Sequence, residues 1–103
     1  MIKVMHRDFD RDGMKDGMIH VANVDTDNLE LAWRLTNNIK GSWSHAEVVD
    51  GVENPDYSPL VEVVEPLMVK NGKTYGHRSS MVGDVFVTDS GSFKVAIFGF
   101  DKV

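Results

Sequence analysis

The chain has 103 residues, 16 acids against 11 lysines and arginines, and no cysteine. That length suits one domain, spanning residues 1–103, and the missing cysteine excludes disulfides, thiolate zinc sites, iron–sulfur clusters and a thiol nucleophile. The net charge of −5 works against a phosphate backbone, and no apolar run approaches the ~18 residues of a membrane span, so neither nucleic acid nor membrane is an expected partner.

Ile2 to His6 alternates apolar and polar residues and reads as a strand. Met18 to Val24 reads as a second. Between them, Asp12-Gly13 and Asp16-Gly17 are turn signals, because glycine supplies the positive φ that tight hairpins need. A helix is expected over about 28–40. Asp27 and Glu30 have capping-box spacing, and Leu31, Ala32, Leu35 and Ile39 share one face. Asn37, Asn38 and Gly41 mark its end, with Lys40 beside the negative pole.

Ala46 to Val49 is a short strand candidate, and residues 50–59 read as loop. Leu60 to Val64 reads as a strand. Asn71-Gly72 is a two-residue hairpin signal between 68–70 and 73–75. Val85 to Thr88 and Phe93 to Phe98 are rich in β-branched and aromatic residues. Asp89-Ser90-Gly91-Ser92 separates them, so a closing hairpin is expected. These elements make an α+β domain, an antiparallel sheet of hairpins with one amphipathic helix on it.

Leu35-Thr36-Asn37-Asn38-Ile39, followed by Trp43, and the segment Arg78-Ser79-Ser80-Met81-Val82-Gly83-Asp84-Val85 occur here together. The pair resembles a group of short, uncharacterised phage-type proteins with a helix ending L-T-N-x-I and an R-S-x-S-V-G-D-V segment before a closing hairpin. Met81 stands where that pattern has serine. The resemblance implies a compact domain of phage or mobile-element character and carries no activity with it. Physically, the segment has two readings. Gly83 at positive φ, Ser79 or Ser80 as a cap and Asp84 on turn amides would make a structural corner. Alternatively Arg78, with His77 and Tyr75 beside it, holds an anion or a partner carboxylate.

Asp8, Asp10 and Asp12, with Gly13, have the spacing of the first half of a calcium loop. Ile19 occupies the position that requires a bidentate glutamate, and no helix leads in, so a solvated acidic tip is the plainer reading. His6 and His20 lie on neighbouring expected strands and with Asp8 would form a metal half-site if they met across the hairpin. No nucleophile elbow, phosphate loop or dinucleotide fingerprint is present. No metal or cofactor is assigned.

The residues from 41 to 69 carry six acids and no lysine or arginine, whereas from Lys70 onward five bases face three acids. The N-terminus lacks a signal-peptide core, which with the absent cysteine points to the cytoplasm. The reading that follows is binding without catalysis: an accessory protein that docks on a protein partner through its acidic 47–65 segment and its aromatic hairpin. Trp43, Tyr75, His77, Arg78, Phe98 and Phe100 are the candidate partner-binding residues. A homodimer through the C-terminal hairpin is expected if Phe98 and Phe100 share an uncovered sheet face opposite Phe93, Val95 and Ile97. A small metal-dependent enzyme or module using His6, His20 and the Asp8–Asp12 loop is the alternative.

Overall fold

A computed structural model describes residues 1–8 and 17–103. Six strands form one antiparallel sheet in the order β10-β9-β8-β1-β2-β5. They are β1 (Ile2–Arg7), β2 (Met18–Val24), β5 (Val61–Val63), β8 (Val85–Thr88), β9 (Gly91–Val95) and β10 (Phe100–Lys102). Among the described residues one helix, α1 (Leu29–Leu35), packs on the sheet, and the fold is α+β as expected.

The core follows from alternation. Ile2, Val4 and His6 of β1 point inward while Lys3 and Arg7 point out. Val4 lies opposite Phe86 on β8, and Phe86 opposite Phe93 on β9, so these side chains share the inner face. Ala32 closes that layer from the helix, and Trp43, from the loop after it, is the largest fully buried side chain.

The pairing of β1 with β2 slips at one point. Val4 faces Ala22 but Met5 faces His20, so Val21 is an extra, bulged residue. Its carbonyl accepts from the amides of Val64 and Glu65. The same register decides the metal half-site. His6 pairs with Ile19 and His20 with Met5, so the two histidines lie on opposite faces of the sheet and do not converge. His20 instead bonds Asn23, at 2.7 Å.

The helix is shorter than its apolar stripe. Asn28, not Asp27, is the N-cap: its side chain accepts from the Leu31 amide at 3.0 Å. Helix α1 stops at Leu35, because the Thr36 hydroxyl turns back onto the Ala32 carbonyl at 2.8 Å. Ile39 is therefore outside the helix and 64% exposed, and of the expected docking stripe Ala32 is fully buried while Leu31 and Leu35 are half-buried. The three successive amides of Ile39, Lys40 and Gly41 enclose the Asp56 carboxylate at 2.6–2.9 Å. Burial raises the Asp56 pKa, but those amides outweigh it and the carboxyl ends below its ordinary value. Asn54 ties the same loop, accepting from the amides of Ser42 and Asp56 and donating to carbonyls of Ser42 and Ala46. Residues 41–59 are thus held by two side chains.

Two small hairpins stand apart from the main sheet: β3 (Val48–Val49) with β4 (Val52–Glu53), and β6 (Met68–Lys70) with β7 (Lys73–Tyr75). Both turns have positive φ at their two central residues, Asp50-Gly51 and Asn71-Gly72, the geometry that Asp-Gly and Asn-Gly favour.

The C-terminal run differs most from its reading. Strand β9 ends at Val95. Ala96 to Gly99 then form a turn, with the Ala96 amide on the Gly99 carbonyl at 3.0 Å and Gly99 at φ +70°. Strand β10 returns alongside, with Phe100 opposite Val95. Phe100 therefore faces the core, its ring centroid 5.5 Å from that of Phe86. Phe98 sits at the tip of the turn, so the two phenylalanines do not share a sheet face.

Candidate binding groove and the polar hub behind it

The segment 78–84 crosses the end of the sheet and meets the end of α1. Two sets of interactions hold it. The first centres on Asp84, which is fully buried. Its Oδ1 accepts from the Arg7 amide and from Arg78 Nη2, both at 2.8 Å. Its Oδ2 accepts from Arg78 Nη1 at 2.7 Å and from the Met81 amide at 2.8 Å. The Arg78 fork also donates to the carbonyls of Arg7 and Ser79. Burial pushes the Asp84 carboxyl up, but the guanidinium and the two amides outweigh it, and the pKa lies below the ordinary carboxylate value. Gly83 sits at φ +95°, a backbone conformation in which an L side chain would be strained. Of the two readings of this segment, the corner is the geometry present: the carboxylate on Arg78 is the chain's own.

The second set is a buried relay of hydroxyls. The Ala32 carbonyl only accepts, so the Thr36 hydroxyl donates to it. Thr36 Oγ1 then accepts from the Ser80 hydroxyl at 2.7 Å, and Ser80 Oγ accepts from His6 Nε2–H at 2.9 Å. The Ser80 amide donates to the Thr36 carbonyl at 2.8 Å. Trp43 meets the His6 ring edge-on, donates from Nε1 to the Arg78 carbonyl at 2.9 Å, and packs against His77 on its other side.

Asp84, His6 and Ser80 are the residue types of a hydrolytic triad, but their geometry is not that of one. A triad sets the carboxylate on the imidazole nitrogen opposite the one that takes the serine proton. Here Asp84 Oδ2, at 3.8 Å, and Ser80 Oγ both approach Nε2. Ser80 is 4% exposed, and its hydroxyl is engaged with both Thr36 and His6. A second serine–histidine pair, Ser42 Oγ and His45 Nδ1 at 2.5 Å, is covered by Gly76, where a Cβ would lie 2.5 Å from the Ser42 hydroxyl. It works as a loop staple.

Burial lowers the His6 pKa to about 4; the Asp84 carboxylate pulls it up by less, and the charges of Arg78 and His77 push it further down. A histidine held neutral in the native state resists a proton that the unfolded chain accepts near pH 6.5. Its contribution to stability is therefore complete above that pH and is lost as the pH falls towards 4. The loss amounts to about 3 kcal/mol. Urea denaturation at pH 7.5 and 4.5 should show that drop, and His6→Gln should flatten it. Equal wild-type midpoints at both pH values would contradict the assignment.

In front of this hub, between α1 and the tip of the β9–β10 turn, lies an open groove of about 860 Å³. Its helix wall is Leu31, Trp33 and Arg34. Its floor is Ser80 to Val82, and its far wall is Val95 to Ile97 with Phe100. Met81 and Val82 are both about half exposed on that floor. At the tip of that wall Ile97 and Phe98 are 81% and 92% exposed.

The six expected partner-binding residues thus separate. Phe98 stands at the groove's lip. Phe100 lines its wall from the core side. Trp43 is 1% exposed, and Arg78, about a third exposed, directs its guanidinium onto Asp84. His77 Nε2–H donates to the Glu65 carbonyl at 2.8 Å, and Tyr75 lies on β7 under the Lys73 ammonium. Asp8 bonds Gly17 through its amide, while Asp10 and Asp12 lie outside the described residues. Among the described residues no cluster of histidines and acids could hold a metal, and no helix is long and apolar enough to cross a membrane. The sequence reading missed Thr36 and the groove residues Trp33, Met81, Val82 and Ile97. The signal for Thr36 was present, since a threonine between a helical stripe and two asparagines is a stop.

No family model, no curated protein and no solved structure matches this chain.

Proposed function

We propose that this chain is a binding module that presents the β9–β10 tip and the adjoining groove to a protein partner. One observation carries the reading: Ile97 and Phe98 project almost fully into solvent beside an apolar groove. Exposed aromatic and aliphatic side chains at a turn tip add nothing to the core and favour aggregation, so they are expected where a partner covers them. The setting, a phage or mobile-element accessory protein, is supported by the resemblance of segments 35–39 and 78–85.

A photo-crosslinking amino acid at position 98 tests this, with position 71, on the exposed β6–β7 turn, as the control. In the cells that naturally make the protein, ultraviolet light should give a discrete adduct from position 98 and none from position 71. Absence of any adduct at 98 would count against the reading.

A further inference from the structure

We infer that the partner in the groove is a second copy of this chain, with each Phe98 tip seated in the other copy's groove about a two-fold axis. This rests on the binding-module reading above and specifies its occupant. Three observations carry it.

The first is placement. The tip and the groove are adjacent on one molecule, so a knob and a hole are offered by the same patch. A patch that contains both is self-complementary, which is what an isologous contact requires. The groove, at about 860 Å³, is within the range of roughly 300–1,000 Å³ that encloses a drug-sized group, and so admits a phenyl ring with its neighbour.

The second is charge. The chain carries −5, and two copies repel on average. The groove is lined by one acid and one base, Glu30 and Arg34, and by no residue of the acidic 47–65 segment. The patch is thus locally neutral. Glu30 and Arg34 lie one helical turn apart and both are exposed. Across a two-fold axis, Glu30 of each copy meets Arg34 of the other, giving two reciprocal pairs.

The third is area. Weighted by exposure, Trp33, Met81, Val82, Ile97 and Phe98 present on the order of 600 Å² per copy at ~200 Å² for a large side chain. A standard interface needs about 800 Å² per partner, and the rim supplied by Glu30, Arg34 and the turn backbone makes up the difference.

Sedimentation equilibrium of the whole chain tests the proposal. The wild type should pass from monomer to dimer at tens of micromolar. Phe98→Asp should remain monomeric with an unchanged far-ultraviolet circular dichroism spectrum, while Met68→Asp, on the separate β6–β7 hairpin, should dimerise as the wild type does. Glu30→Arg and Arg34→Glu, each alone, place like charges opposite one another and should weaken the dimer about tenfold. An equimolar mixture of these two variants restores both pairs and should recover the association. No contact with a different protein predicts that recovery. A wild type that stays monomeric, a dimer indifferent to Phe98→Asp, or a mixture that does not recover would each overturn the proposal. A monomer that still gives a position-98 adduct with another protein would overturn the second copy and leave the binding reading standing. No adduct at all would remove both.

Discussion

Replacing Asp84 by alanine is expected to remove about 3–5 kcal/mol of stability, the cost of breaking a buried charge pair from one side. For a chain of this length the whole margin is about 5–15 kcal/mol, so the variant should be largely unfolded near its former midpoint. The carboxylate is fully buried and accepts four hydrogen bonds, two from Arg78 and one each from the amides of Arg7 and Met81. Alanine leaves all four donors without that acceptor. It also frees the segment that links β1 to the end of α1. Asp84→Asn separates the contributions. Its amide oxygen still accepts from one backbone donor, but the guanidinium loses its counter-charge, so the loss should be smaller than for alanine. Urea denaturation followed by circular dichroism measures both. A loss for Asp84→Ala below about 1 kcal/mol would mean that the corner is not a stability element. The sign with pH is also set. Because the Asp84 pKa is depressed in the native state, its contribution is present above the ordinary carboxylate pKa and disappears as the pH falls through the native value.

Trp43→Ala should cost about 3–5 kcal/mol, as for a fully buried large aromatic. Trp43 is the largest fully buried side chain, yet it comes from a loop and not from a strand or helix. It closes the end of the core over His6 and holds the Arg78 carbonyl through its indole N–H. Its loss leaves a cavity and an unpaired carbonyl together, and both terms act in the same direction. The sharpest comparison is Trp33→Ala. Trp33 is 42% exposed on the outer side of the groove, and its removal should cost no more than about 1 kcal/mol. Equal losses for the two tryptophans would contradict the burial described here. Dimer formation should respond in the opposite order, sensitive to Trp33 and indifferent to Trp43 wherever the latter variant still folds.

Much of the fold is legible in local chemistry. The two Asx-Gly turns fold as their residues dictate, because positive φ at two successive positions is a property of the dipeptide. Gly83 and Asp84 form the corner that their residue types suggest. The alternation in β1 reports its inner face without any partner strand. Other features are not local. The helical stripe runs on to Ile39, but the helix stops at Leu35, since Thr36 and the Asp56 carboxylate compete for the backbone groups that a longer helix would use. The parity of Phe93 to Phe100 predicted an exposed aromatic face only while the run was one strand. A turn at Ala96 to Gly99 reverses the chain and sends Phe98 and Phe100 to different places.

The sequence alone is enough for an α+β fold with an antiparallel sheet and for the absence of cysteine chemistry, while it leaves Arg78 to Asp84 open between a structural corner and an anion site. Periodicity, turn residues and absent residue types are sufficient for that, because each acts over a few neighbours. Only the tertiary structure decided that His6 and His20 face apart, that Trp43 is core, and that Arg78 spends its charge on Asp84. Those outcomes depend on a one-residue bulge at Val21 and on contacts between residues more than thirty positions apart, such as His6 with Ser80 and Trp43 with Arg78. A bulge reverses which side chains face inward from that point on, and no residue pattern within one strand records where its partner will slip.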